Sequence, residues 1–318
     1  MAAYEQAAEG QKLEIGRDRS KPGTVGALIA SYYRTSDYTG LKAITQQTYR
    51  NILERFRAEH ADKRVAHLQR HHVQKIIGER AATPASANRL LRMLHIIMQH
   101  AMDLGWRRDD PTSGVRKVRE KTEGFTTWEE EHIAKFFAFH KPGSRAHTAL
   151  TLLLYTGQRR GDVVRMGPEM VRNGWIHFRQ SKTDQPMEIP ILPPLQAVLD
   201  ALPSTKTFLT SDRPSDNGGP LTPESFGNWF RDVVTAVVDD DGKRLLPDGL
   251  SAHGLRKASC RRLAEGGCTP HQIMAISGHK TLAEVTRYTV AASRRDLAMQ
   301  AAAALVGGKE SVKPAELV

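Results

Sequence analysis

Along most of the chain, apolar residues recur at spacings of three and four, the period of one face of a helix. Val25, Leu28 and Ile29 open this pattern, and Tyr49, Ile52, Leu53 and Phe56 continue it. A third stretch runs from Val73 to Ile77. Thr83-Pro84 then starts a longer helix with an apolar face of Leu90, Leu91, Leu94, Ile97, Met98 and Met102, ending at Gly105. Together these predict a small helical bundle over residues 23–106. The polar residues 1–22, ending in Lys21-Pro22-Gly23, read as a flexible leader.

Residues 107–125 break the pattern. They are polar, contain Pro111 and Gly114, and carry a basic run from Arg116 to Lys121, so an interdomain linker is expected there. A second core begins at residue 126. Thr127 and Glu130 fit a capping box ahead of Ile133, Phe136 and Phe137, and residues 149–155 form an apolar helix. Residues 175–178 and 187–191 alternate partly, and the polar segment Arg179 to Pro186 lies between them. This predicts a β-hairpin with Lys182 at its tip. Residues 226–238 are expected to be helical, as is the alanine-rich stretch 293–306 within a C-terminal segment 293–318. The fold class is therefore mostly α with a small β-hairpin, an α+β arrangement, with the second domain spanning 126–292.

Charge sharpens this division. The 318 residues carry a formal net charge of +11, and residues 1–125 hold 22 lysines and arginines against 14 acids. The positive field belongs mainly to the N-terminal bundle, as expected of a phosphate-facing surface. Arg50, Arg57, Lys75, Arg89 and Arg92 of the bundle, with Arg116 and Lys117 of the linker, are the candidate contacts to a polyanion, nucleic acid being the commonest. For any one of them, the alternative is an ordinary solvated surface charge.

Cys260 and Cys268 are the only cysteines, too few for a disulfide framework, and a reducing cytoplasm is the simplest setting. Their spacing to each other and to His271 matches no usual zinc pattern, so no metal is expected. No signal peptide or membrane-length apolar run is visible.

The chemistry-bearing residues concentrate between Ser251 and Tyr288. His253 and Arg256 lie three apart at the start of a predicted helix, which Gly266-Gly267 ends. Thr269-Pro270 starts the next helix and Gly278 closes it just before His279. Thr281 and Glu284 could cap a last helix that carries Tyr288. Upstream, the turn Thr156-Gly157-Gln158-Arg159 exposes an arginine after an apolar helix, with Asp162 three residues on. Taken singly, each has a plain alternative: a turn arginine paired to Asp162, a lysine on a hairpin tip, a packing tyrosine with a wet hydroxyl.

The order Arg159, Lys182, His253-x-x-Arg256, Gly278-His279, Tyr288 resembles the tyrosine recombinases, the phage-integrase family. The resemblance covers 126–292 by motif, whereas the N-terminal bundle matches the family's core-binding domain in position and character only. HGLRK stands where many members have HDLRH, and SGH where LGH is common; neither change removes a catalytic group.

The resemblance implies a site-specific DNA recombinase in which Tyr288 forms a 3′-phosphotyrosyl link. Arg159 and Arg256 would clamp the phosphate, His253 would act as base or as a hydrogen-bond partner of the phosphate, His279 would donate to a nonbridging oxygen, and Lys182 would act as general acid. Asp162 would orient Arg159 or His253. No cofactor is expected, because the phosphotyrosyl bond conserves the energy of the broken linkage. The implied partners are double-stranded DNA and three further copies in a tetramer on synapsed DNA, and the reading admits an accessory directionality factor. The hairpin looks more like that of prophage and genomic-island integrases. The short leader leaves no room for the extra arm-binding domain that some phage integrases carry. Two rivals share parts of this reading: a type IB topoisomerase-like relaxing enzyme, and a catalytically silent architectural DNA-binding protein.

Overall fold

A computed structural model describes residues 21–120, 124–203, 205–211, 218–292 and 302. Apart from position 302, the expected C-terminal helix and tail lie outside the described residues, as does the leader up to residue 20. The chain divides into two compact units, one up to Thr122 and the other from Glu123. No described helix is long and apolar enough to cross a membrane.

The first unit is helical: α1 (Val25–Tyr32), α2 (Ser36–Thr39), α3 (Ala43–His60), α4 (Arg70–Gly78) and α5 (Pro84–Asp103). Thr24 caps α1, its hydroxyl accepting from the Ala27 amide at 3.3 Å. The long α5 is the hub. It buries Leu90, Leu94, Ile97 and Met98 against Leu28 and Ile29 of α1, Leu53 and Phe56 of α3, and Val73 and Ile77 of α4. Of the stretch expected as a linker, residues as far as Val118 are held on this unit. The buried Arg107 donates to the carbonyls of Val65 (2.5 Å) and Leu68 (2.8 Å). Asn88 exchanges two 2.9 Å bonds with the backbone of Val118. These side-chain-to-backbone bonds fix a segment whose polarity alone reads as loose.

The second unit is mostly helical with one small sheet, as expected. Its helices are α6 (Glu130–Phe139), α7 (Arg145–Thr156), α8 (Arg160–Val163), α9 (Pro193–Asp200), α10 (Pro223–Thr235), α11 (Ala252–Glu265), α12 (Pro270–Ser277) and α13 (Leu282–Ala292). The core joins Leu150 and Leu153 of α7, Phe226 and Phe230 of α10, Leu255 and Ala258 of α11, and the fully buried Trp128. The capping box of α6 is Glu129 with His132, whose Nδ1 accepts from the Glu129 amide at 3.1 Å, and not Thr127 with Glu130. Trp128 explains the shift. Its indole is buried and donates to the Ser251 carbonyl at 3.0 Å, so the helix begins only after it.

The sheet is antiparallel in the order β1 (Val171–Arg172), β2 (Trp175–Arg179), β3 (Pro186–Pro190). Ile176 faces Ile189 on the buried side, and Phe178 pairs with Met187. The hairpin of β2 and β3 matches the alternation. The edge strand β1 is an addition to the expected hairpin, turning into β2 through Asn173 and Gly174, both at positive φ (50° and 78°).

Candidate active site

The site grows from helix ends, where backbone groups lack intrahelical partners. α7 stops at Gly157, and Arg159 follows in extended backbone as the residue before α8. Half-buried, Arg159 donates from Nη1 to Gln180 Oε1 at 3.0 Å. Lys182 is exposed on the loop between β2 and β3. Beneath it, Asp162 is buried, and its Oδ1 accepts from the Ser181 amide (2.7 Å), the Ser181 hydroxyl (2.8 Å) and Arg165 (2.9 Å). The expectation that Asp162 orients Arg159 or His253 is corrected: α8 turns the carboxylate toward the hairpin tip, where it anchors the residue next to Lys182.

α11 begins at Ala252, so His253 sits in its first turn with Arg256 one turn on. Arg256 has no exposed surface. Its Nη1 donates to the carbonyls of Gly157 (2.8 Å) and Ser277 (2.6 Å). Its Nε and Nη2 are buried and have no hydrogen-bond partner among the described residues. Burial, and then the charge of Arg159, pull its pKa down to about 10. The His253 ring packs tilted against Phe125 with centroids 4.5 Å apart, and the Phe125 carbonyl accepts from Lys257 at 2.6 Å. Burial first, then Arg256, Arg159, Lys257 and Lys182, lower the His253 pKa to about 4.

α12 starts with the box of Thr269 and Gln272 and ends at Gly278, in the left-handed region at φ 69°. His279 follows, 7% exposed, with Nδ1 2.7 Å from Ser277 Oγ. The Ser277 hydroxyl gives its proton to the Ile273 carbonyl at 2.6 Å, so the ring must donate from Nδ1, leaving Nε2 for a further partner. Burial, and then the Arg256 charge, lower the His279 pKa to about 4. Tyr288, half-buried on α13, has its ring 5.7 Å from that of His279 and packs against Cys260, Ile273 and Val285.

The six expected residues are thus brought together. Arg159, Arg256 and His253 act on one another or on His279 through their charges, Lys182 acts on His253, and Tyr288 lies beside His279 and within reach of the Arg256 charge. Sequence reasoning missed Gln158, Gln180, Ser277 and Phe125. Gln180 had a signal: continuing the strand alternation from Ile176 through Phe178 puts it on the inward side.

The candidate DNA contacts of the first unit are distributed unevenly. Arg89, Arg92 and Lys117 line one hollow of about 560 Å³ with Asn88 and His95. Lys75 lies in another, with His60, His67 and His72. Arg50 sits over the Tyr33 ring at 5.0 Å, Arg57 is 3.6 Å from Glu54, and Arg116 is exposed. Among the described residues no group of three or more His, Cys, Asp or Glu is arranged to hold a metal ion.

A buried guanidinium with two unspent nitrogens, Nε and Nη2, and no carboxylate hydrogen-bonded to it among the described residues is suited to receive an oxyanion. Residues 126–295 match the model of the phage integrase family, and the chain belongs to that family. It is 23% identical over 290 residues to the integrase of Escherichia phage HK022, covering 88% of this chain and 80% of that one. It is 24% identical over 223 residues to the shufflon-specific DNA recombinase of Escherichia coli, covering 67% of this chain and 53% of that one. The same fold occurs in a lambda integrase tetramer bound to a Holliday junction (TM-score 0.74, 19% identity, 92% of this chain and 86% of that one). It occurs again in a Tn1549 transposon integrase in complex with transposon right end DNA (TM-score 0.69, 16% identity, 90% of this chain and 100% of that one).

Proposed function

We propose that this chain is a site-specific DNA recombinase that cuts and rejoins strands through a 3′-phosphotyrosyl intermediate, serving integration and excision of a mobile element. Recombinase activity is the function of a phage-integrase family member related to integrases and to a shufflon recombinase. The observation that carries the reading to this chain's own residues is the Arg256 guanidinium. It is buried, held by two backbone carbonyls, and has the three N–H bonds of Nε and Nη2 left over for an anion.

Arg256 and Arg159 hold the nonbridging oxygens of the scissile phosphate and stabilise the charge that develops on them. Tyr288 Oη attacks phosphorus, the bond from phosphorus to the 5′ oxygen breaks, and the 3′ phosphate stays on the tyrosine. His253, neutral at physiological pH, takes the phenol proton, and Lys182 gives one to the departing 5′ oxygen. His279, donating from Nδ1 to Ser277, can donate from Nε2 to phosphate only once it carries a second proton, which an incoming anion favours. Attack of a different 5′ hydroxyl on the phosphotyrosine reverses these steps and completes strand exchange. Arg89, Arg92 and Lys117 supply phosphate contacts along the duplex, and four copies act together on synapsed DNA, with room in the scheme for an accessory directionality factor.

The test starts from a duplex that the chain enriches from a randomised pool. It is nicked beside the cleavage point so that the short 5′-hydroxyl fragment diffuses away. The native chain accumulates an SDS-resistant protein–DNA adduct, and Tyr288→Phe binds the duplex equally but forms none. An adduct with Tyr288→Phe overturns the assignment of the nucleophile.

A further inference from the structure

We infer that Gln180 is a positioning residue that sets both arginines and the hairpin tip in one frame without neutralising them. This deepens the recombinase reading and rests on it. Gln180 is 1% exposed, and every hydrogen-bonding valence of its amide is filled. Its Nε2 donates to Gln158 Oε1 at 2.7 Å and to the Ser277 carbonyl at 3.1 Å. Its Oε1 accepts from Arg159 at 3.0 Å and from the Thr183 hydroxyl at 2.6 Å.

Each bond reaches a different part of the site. Arg159 is held directly. Ser277 is the residue whose carbonyl also takes the Arg256 Nη1 proton at 2.6 Å, so both arginines are referred to one amide. Thr183 is the residue after Lys182. Gln158, itself fully buried, passes the frame on through its Nε2 to the Ile276 carbonyl at 2.6 Å, two residues before Gly278. The fit is close: a Cβ on Gly278 would stand 2.3 Å from Gln180 Nε2, so the loop carrying His279 can approach the amide only because residue 278 is glycine.

The choice of an amide carries the chemical argument. A glutamate here could also accept from Arg159, but as an ion pair it would consume the charge that the phosphate needs, and it would have no proton for Ser277 or Gln158. A glutamine orients the guanidinium and leaves its charge for the ligand. Preorganised donors are effective in transition-state stabilisation because they need no reorganisation as charge develops.

Two substitutions test this in the full chain. Gln180→Met keeps the volume and removes all four bonds; Gln180→Glu keeps an acceptor for Arg159 and cancels its charge. With the enriched nicked duplex, both lower the rate of adduct formation about a hundredfold while DNA affinity stays within about threefold, the pattern expected when reacting groups shift by about 1 Å. A second measurement needs no DNA. In 15N NMR of the DNA-free chain, the Arg159 guanidinium signal is protected from exchange in the native protein and in Gln180→Glu, and loses protection in Gln180→Met. Adduct rates within about threefold of native, or losses that follow thermal stability and DNA affinity in parallel, overturn the proposal. So does an Arg159 signal unchanged in Gln180→Met. If the native chain itself forms no adduct, the recombinase reading is what fails, and the NMR result alone decides whether Gln180 positions Arg159.

Discussion

Arg256 donates to the Ser277 carbonyl at 2.6 Å across the gap between α11 and the end of α12, and no carboxylate among the described residues is hydrogen-bonded to it. A buried cation in this state is a strain on the fold that only a bound anion relieves. Arg256→Met, which fills the space without charge, should therefore leave the protein equally stable or up to about 1 kcal/mol more stable while abolishing adduct formation. Urea unfolding beside the nicked-duplex assay checks both halves. A destabilisation of more than about 2 kcal/mol would mean that the two carbonyl bonds outweigh the buried charge.

The two histidines give the fold a pH signature. His253 and His279 have folded pKa values lowered to about 4, first by burial and then by the charge of Arg256. The unfolded chain, with ordinary histidine values near 6.5, binds more protons below that pH, so acid favours unfolding. Their contribution is full above pH 6.5 and is lost as pH falls toward 4. At about 1.4 kcal/mol per unit, the loss is about 3 kcal/mol from the buried His279 and less from His253, which solvent reaches. Urea titrations across this window should show it, and the double variant His253→Gln, His279→Gln should flatten the slope.

The sequence made the reacting groups legible because each sits where local rules are strong. Arg159 follows a glycine-ended helix, His253 and Arg256 share the first turns of α11, and His279 follows a left-handed glycine. It hid what depends on a distant partner. Sequence proximity pairs Asp162 with Arg159, whereas the hydrogen bonds of its carboxylate come from Ser181, nineteen positions on, and from Arg165. Gln180 joins three segments, the turn at residues 158–159, its own hairpin tip and Ser277, that are far apart in sequence. The α6 cap moved because Trp128 reaches the Ser251 carbonyl, a contact between segments 123 residues apart.

Salt dependence should sort the basic residues of the first unit. Arg89, Arg92 and Lys117 share one hollow. If each neutralises one phosphate, each alanine variant lowers the slope of log affinity against log salt by about 1, with similar loss on every sequence. Arg57, already 3.6 Å from Glu54, should change the slope by less. Filter binding or anisotropy across a salt series reads this directly. Equal slopes for all four variants would remove the hollow from the DNA path.

Asp162 gives the sharpest test of how the general acid is held. Its carboxylate fixes Ser181 through both the amide and the hydroxyl, so Asp162→Ala should release the tip that carries Lys182 without breaking a side-chain hydrogen bond of Arg159 or Arg256. Adduct formation should fall about tenfold to a hundredfold, a partial loss of the roughly hundredfold or more that general acid catalysis contributes. A substrate with sulfur in place of the 5′ bridging oxygen separates the causes, because a thiolate leaves without protonation. That substrate should restore Asp162→Ala and Lys182→Ala to near the native rate, and should leave Arg256→Met inactive. Failure to restore Asp162→Ala while Lys182→Ala recovers would show that Asp162 supports the phosphate-binding arginines instead, through the charge that Arg256 feels from it.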